Sequence, residues 1–519
     1  MIKHTPYLLP LALLAPAVLW SQDHLSDAQQ WQHQSAEINN VIGVDSKRAY
    51  AELIDVNALK TVVVAVIDGG TDIEHEDLRD VLWINEDEVP GDGVDNDGNG
   101  YVDDVYGWSF LSGPGGEIGP ETLEYVRQIR RYQNQENLTR EERKDLKKLV
   151  KRMNKERKLA ERLIGPMGKI KDIYEEVLAH CGHSLSDECI ASYTGQKGVG
   201  IIRKNIARSM NRMAHNGVPR HEMEEIFTEG YTYFYEQLYY NLNPEFDPRH
   251  LVGDDPTTND DPYYGDARVL GPDASHGTHV AGIIAAKRGN GIGMDGIAVN
   301  ARIMTLRVVP NGDERDKDVA NAIRYAVDNG AKIINMSFGK DMGEQDQWVE
   351  EAIRYAAEHD VLMVHAAGND SRSVDEFKNY PNGWNEETNT RYDHWIEVGA
   401  SSFKGVDHLA ASFSNYGNQV DVFAPGDDIY STIPSDRYDT YGGTSMATPV
   451  VSGVAAVVWG MYPELTAVQL KKVLMISSVP YDNEVVLPGK RKKTVPFATL
   501  SETGAVINLY SALLSLQGR

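Results

Sequence analysis

The chain has 519 residues, 41% of them hydrophobic and 25% charged, a composition that excludes a disordered or fibrous protein and accommodates one large α/β domain with additions. Its 77 acidic residues outnumber 51 basic ones, giving a formal charge of -26. Such a surface repels nucleic acid and anionic lipid, so proteins, peptides or cations are the expected partners.

Lys3 and His4, the apolar run from Tyr7 to Trp20, and then Ser21 and Gln22 follow the order of a secretory signal peptide over 1–21. The run is shorter than the ~20 residues that span a bilayer, and Pro10 and Pro16 interrupt it. No other segment is long and apolar enough to span, so no stable membrane span is expected once the signal is cleaved. Residues 22–60 form a short N-terminal extension. The β-branched run 61–67 then reads as a buried parallel strand with Asp68 at its end.

Between 114 and 250 the texture becomes charge-rich and helical. Thr139 and Glu142 form a capping-box pattern, and Leu146, Leu149, Val150 and Met153 follow at helical spacing. This is an inserted helical subdomain. Its basic face, with Arg143, Lys147, Lys148, Lys151 and Arg152, is interleaved with acidic residues and reads as a solvated helix surface. Cys181 and Cys189, the only cysteines, can form one local disulfide or remain free thiols.

Strand-like runs recur at 301–309, 331–336, 361–366 and 419–423, with amphipathic helical stretches at 317–329 and 346–358. The alternation predicts an α/β fold with a doubly wound, mostly parallel sheet, its two parts being 61–113 and 251–519. Sites in such sheets gather beyond the carboxyl ends of strands, where Asp68, Ser337 and Asn369 fall.

Three segments point to acyl transfer. Ser445 lies in Gly442-Gly-Thr-Ser-Met-Ala-Thr-Pro449 at the start of an apolar helix, whose N-terminus favours developing negative charge. His276 lies in Ser275-His-Gly-Thr-His-Val-Ala-Gly282, again a loop entering a buried helix. Asp68, before two glycines, supplies the carboxylate that a histidine base needs to fix its tautomer. Each residue alone has a plainer explanation as an N-cap, a structural histidine or a turn residue. His279, one turn after His276, invites a metal reading, but no third ligand is placed beside the pair, and a packing role is expected.

Together, in the order Asp, His, Ser, these segments resemble the active-site signatures of the subtilisin-like serine peptidases, the subtilases. The resemblance covers about 61 to 110 and 265 to 515. It implies Asp68, His276 and Ser445 as catalytic triad and Asn369, in His365-Ala-Ala-Gly-Asn369, as oxyanion donor. It also implies that Ser337, Phe338 and Gly339 pair with substrate backbone, and that Ala366, Gly368 and Asn379 line the pocket for the residue before the cut. The expected activity is that of a secreted serine endopeptidase acting through an acyl-enzyme on protein or peptide substrates. An inactive subtilase-fold binding protein would ordinarily lack one of these groups. A calcium-dependent structural protein would not account for the segments around His276 and Ser445. The stretch between the signal and the first strand is too short for the compact prodomain that secreted subtilases often carry.

Finally, Asp92 to Asp104 packs oxygen ligands around glycine turns. Asp95, Asp97, Asn99, the Tyr101 carbonyl and Asp103 occupy the spacing of the first part of a calcium loop, without the closing glutamate of an EF-hand. A structural Ca2+ and no organic cofactor are therefore expected.

Overall fold

The structure is a computed structural model that describes residues 29–182, 185–216, 218, 220–343, 346–385 and 388–517. The expected signal peptide, 1–21, lies outside the described residues. Of the described chain, 29–119 with 248–517 forms one compact unit and 120–247 a second.

The larger unit is built on a nine-stranded sheet. Its strands are β1 (Val62–Asp68), β2 (Gly107–Ser109), β3 (Ala301–Arg307), β4 (Ile333–Met336), β5 (Leu362–Ala366), β6 (Trp395–Ser401), β7 (Val422–Pro425), β8 (Val479–Pro480) and β9 (Ala505–Val506). They lie in the order β8-β9-β7-β6-β5-β4-β1-β3-β2. Every pairing is parallel except that of the edge strand β8 with β9. Helices α1 (Ser275–Ala285), α2 (Asp316–Asp328), α3 (Asp346–Glu358) and α4 (Thr444–Met461) supply the covering layers. The expected doubly wound α/β fold is present.

Strand β1 explains the arrangement. Because side chains alternate faces, Val62, Val64 and Val66 enter one core with residues of α1 and α4, while Ala65 and Ile67 enter another with residues of α2 and α3. A continuous apolar run is what burial on both faces requires. Helix α4 is the one helix among the described residues long and apolar enough to cross a membrane, and it is buried in this core.

Two features were not expected from the sequence. Strand β6 carries Glu397 in an otherwise apolar run, and that residue breaks the pattern. It is buried because His365 Nδ1 lies 3.0 Å from its carboxylate and Trp395 Nε1 donates to it at 2.9 Å. The residues before β1 also join the main core through Trp31, Val44 and Ala49. Trp31 Nε1 donates to the Asp428 carbonyl at 3.1 Å, and Leu509 N to that of Val44 at 2.8 Å.

The smaller unit is helical, with helices Glu124–Asn134, Arg140–Cys181, Asp187–Gly195, Ile201–His215 and Arg220–Glu236. Its limits fall at 120 and 247, so the hairpin Ser112–Gly113/Gly116–Glu117 and residues 248–250 belong to the larger unit. The capping box forms: Thr139 Oγ1 accepts from Glu142 N and the Glu142 carboxylate accepts from Thr139 N. Leu149 and Met153 are buried, and Lys147, Lys148 and Lys151 are exposed. Cys181 and Cys189 form a disulfide.

Candidate active site

Asp68 ends β1 with 2% of its surface exposed. Its Oδ1 accepts from Gly69 N at 2.7 Å. His276, the second residue of α1, places Nδ1 2.8 Å from Oδ1 and 3.0 Å from Oδ2. With a carboxylate facing Nδ1, the proton belongs there and Nε2 is the basic nitrogen. Gly277 permits this approach, since a Cβ there would lie 2.1 Å from the Gly70 carbonyl and 3.1 Å from Asp68 Cβ.

Ser445, the second residue of α4, is tied reciprocally to the end of β4. Its Oγ donates to the Ser337 carbonyl at 3.0 Å, and Ser337 Oγ donates to the Ser445 carbonyl at 2.8 Å. Asn335 Nδ2 donates to Ser337 Oγ at 3.0 Å, and Ser452 Oγ to Asn335 Oδ1 at 2.8 Å. His276 Nε2 is buried without a hydrogen-bond partner among the described residues. Ser445 Oγ, turned to the Ser337 carbonyl, therefore makes no hydrogen bond to His276 Nε2 among the described residues.

Asn369 follows β5. Its Oδ1 accepts from Thr444 N at 2.8 Å and Thr444 Oγ1 at 3.0 Å, which fixes the amide orientation and leaves Nδ2 as the outward donor. A carbon placed on Gly443 would lie 3.4 Å from Asn369 Nδ2 and 3.5 Å from Ser445 N. Two donor nitrogens thus flank one point beside the serine.

The remaining segments also converge. Lys340 and Tyr380 exchange backbone hydrogen bonds, each 2.9 Å. They bring Asn379 beside Gly339, where a Cβ would meet the Asn379 amide at 2.6 Å, and within 3.7 Å of one on Gly368. Asn379 Nδ2 donates to the Ala366 carbonyl at 2.9 Å. Asn379 also lines a cavity of about 280 Å³ with Phe377, Trp384, Trp395 and Glu397. Phe338 is buried, its ring edge-on to His365.

His279 is fully buried, stacked on Tyr441 at 4.4 Å, with Nε2 3.2 Å from the Asp439 carbonyl. Burial, and then the neighbouring His276, depress it to about 3. It is a neutral packing residue, as expected. Sequence reasoning missed Thr444, which orients Asn369, and Asn415, whose Nδ2 donates to the Ala367 carbonyl at 2.8 Å. Both are small polar residues whose partners are distant in sequence, and no local signal marks them.

In the acidic loop, Asp95 and Asp97 converge with Glu88, their carboxylate oxygens lying within 4.8 Å of one another. Among the described residues, no Lys or Arg forms an ion pair with any of the three. Glu88, outside the expected loop, accepts from Asn96 N at 2.7 Å and Asp103 N at 3.0 Å. Asp103 instead turns to Gly91 N, Asp92 N and Gly93 N. Asn99 Oδ1 accepts from Tyr101 N at 2.7 Å. Converging hard oxygens without a cationic side chain fit a Ca2+ ion.

The carboxyl edge of this parallel α/β sheet thus gathers an acid–histidine pair, a helix-start serine and a side-chain amide. The model of the Subtilase family matches residues 59–498, and the chain belongs to that family. It is 43% identical over 183 residues to the thermophilic serine proteinase of Bacillus sp. (strain AK1), a match covering 35% of this chain and 42% of the relative. It is 40% identical over 181 residues to thermitase of Thermoactinomyces vulgaris, covering 35% and 59%. The intracellular serine protease of Paenibacillus polymyxa is 34% identical over 251 residues, covering 46% and 72%.

Proposed function

We propose that this chain is a secreted serine endopeptidase that cleaves proteins or peptides through an acyl-enzyme. The carrying observation is the Asp68–His276 contact at 2.8 Å beside a helix-start serine flanked by two donor nitrogens. Export rests on the signal-like order of residues 1–21.

In this mechanism a peptide pairs with the backbone of 337–339 and seats the side chain before the cut against Ala366, Gly368 and Asn379. Ser445 Oγ leaves the Ser337 carbonyl, passes its proton to His276 Nε2 and attacks the scissile carbonyl. Asp68 holds the imidazole and stabilises the imidazolium. Asn369 Nδ2 and Ser445 N take the oxyanion. His276 returns the proton to the leaving amine, and water repeats the sequence to release the acid. A protonated imidazole cannot accept the serine proton, so hydrolysis falls on acidification. Ca2+ held by Glu88, Asp95 and Asp97 would neutralise their repulsion and stiffen the loop, away from the chemistry.

The test is hydrolysis of casein by the purified protein and its Ser445→Ala variant. Loss of hydrolysis in a folded variant supports the proposal, and equal rates would refute it.

A further inference from the structure

Arg307 ends β3 directly beside Asp68 in the parallel register, and only 1% of its surface is exposed. Among the described residues no carboxylate lies within ion-pair distance of it. Its guanidinium is instead spent on backbone and hydroxyl acceptors from separate segments. Nε donates to the Gly69 carbonyl at 3.2 Å, one terminal nitrogen to Ser109 Oγ at 3.3 Å and the other to the Ile118 carbonyl at 2.7 Å. Burial lowers it to about 10, with Glu117 and Asp266 opposing from a distance, so it remains charged at neutral pH. A buried guanidinium without a close counter-ion is costly and persists where its donors order the surrounding chain.

That chain is the frame of the acid–base pair. Gly69 is the residue after Asp68. Gly271, five residues before His276, packs on the guanidinium with a φ of +70°, where a Cβ would lie 2.2 Å from Arg307 Nε. Thr71 N donates to the Val269 carbonyl at 3.0 Å, joining the two loops. The residues after Arg307 act on the same strand end: Val308 N and Val309 N both donate to the Asp68 carbonyl, at 2.9 and 3.1 Å.

We propose that Arg307 is a positioning residue for catalysis, clamping the turn after Asp68 and the loop entering α1 so that Asp68 and His276 meet at hydrogen-bond distance. It touches neither substrate nor reacting atoms. The inference rests on the proposed serine peptidase mechanism, since only there does the Asp68–His276 distance set a rate. Arg307→Lys keeps the charge and one donor direction but loses the fork. Its kcat on a peptide substrate falls by about 10- to 100-fold, the scale of a small misplacement of catalytic groups. KM stays within about threefold, because among the described residues the hydrogen bonds of the Arg307 side chain go to Gly69, Ser109 and Ile118 and not to 337–339 or 366–379.

A second measurement needs no turnover. In the Ser445→Ala background, proton NMR reads the His276 Nδ1–H resonance of the bond to Asp68. Adding Arg307→Lys shifts, broadens or abolishes it. A folded Arg307→Lys protein with kcat within twofold of the parent, or with the Nδ1–H resonance unchanged, overturns the proposal. Should Arg307→Lys fail to fold, Ser109→Ala removes one clamp contact at an internal hydroxyl and is expected to lower kcat several-fold at constant KM. An unchanged kcat there also overturns it. An inactive parent would refute the peptidase mechanism, while the NMR comparison would still decide the clamp.

Discussion

Two groups of carboxylates in the larger unit are treated in opposite ways. Asp68 is buried and fully engaged, with one N–H and one imidazole at hydrogen-bond distance. Glu88, Asp95 and Asp97 converge within 4.8 Å with backbone N–H groups and the Asn85 and Asn99 amides as partners and no cationic side chain among the described residues. The first group meets a histidine within the chain; the second is the site proposed for Ca2+. Substitution in the first should therefore abolish chemistry, and in the second should weaken the fold while sparing chemistry.

The largest expected effect is at the first group. Asp68→Asn leaves the shape but favours the wrong imidazole tautomer, and turnover should fall by about 10⁴. A loss of tenfold or less in steady-state kinetics would mean that another group orients His276. Asn369→Ala removes one of two oxyanion donors, with an expected loss of about 10² to 10³ in kcat and little change in KM. A change confined to KM would place Asn369 in substrate binding alone.

At the acidic loop, chelation should lower the melting temperature by several degrees, and Asp95→Asn with Asp97→Asn should remove that sensitivity while kcat stays within a few-fold. Calorimetry with and without Ca2+ measures it. A melting temperature indifferent to Ca2+ would leave the loop a polar turn.

The last effect concerns acid and is one of stability, not of turnover. Burial leads the causes that hold His33 well below its ordinary value and depress His279 to about 3 and His394 to about 4. Each is neutral in the folded chain, whereas in the unfolded chain each takes up a proton near 6.5. The stability they allow is complete above about 6.5 and declines as pH falls from there towards 4, by up to about 1.4 kcal/mol per pH unit for each histidine. Thermal melts of the Ser445→Ala variant from pH 7 to 4.5 read this without self-digestion. A flat profile would show that these histidines titrate freely in the folded state.

The candidate site was legible where chemistry and local backbone coincide. Gly-Thr-Ser-Met-Ala and His-Gly-Thr-His carry both the reactive side chain and the small residues that let segments approach, so Ser445, His276 and Asp68 could be named with their elements. Strand β1 was legible because burial on both faces demands an unbroken apolar run, and β3, β4 and β5 because their runs stay mostly apolar around a few polar residues. What escaped depends on partners far along the chain. Glu397 hides β6 from hydropathy, and its burial makes sense only with His365 and Trp395 beside it. Glu88 stands outside the Asp95–Asp103 spacing and joins the cluster through loop geometry. Trp31 and Val44 lie in a stretch without periodicity and gain their role by packing on the core that holds α4. Arg307 reads as the polar end of a strand until its acceptors on Gly69, Ser109 and Ile118 are seen.

The most direct test of the central claim is to label the purified protein with a fluorophosphonate and map the adduct by peptide mass spectrometry, alongside Ser445→Ala and His276→Ala. The account predicts a single adduct on Ser445, none in Ser445→Ala, and labelling slowed by orders of magnitude in His276→Ala. An adduct on another residue, or labelling at full rate without His276, would contradict it.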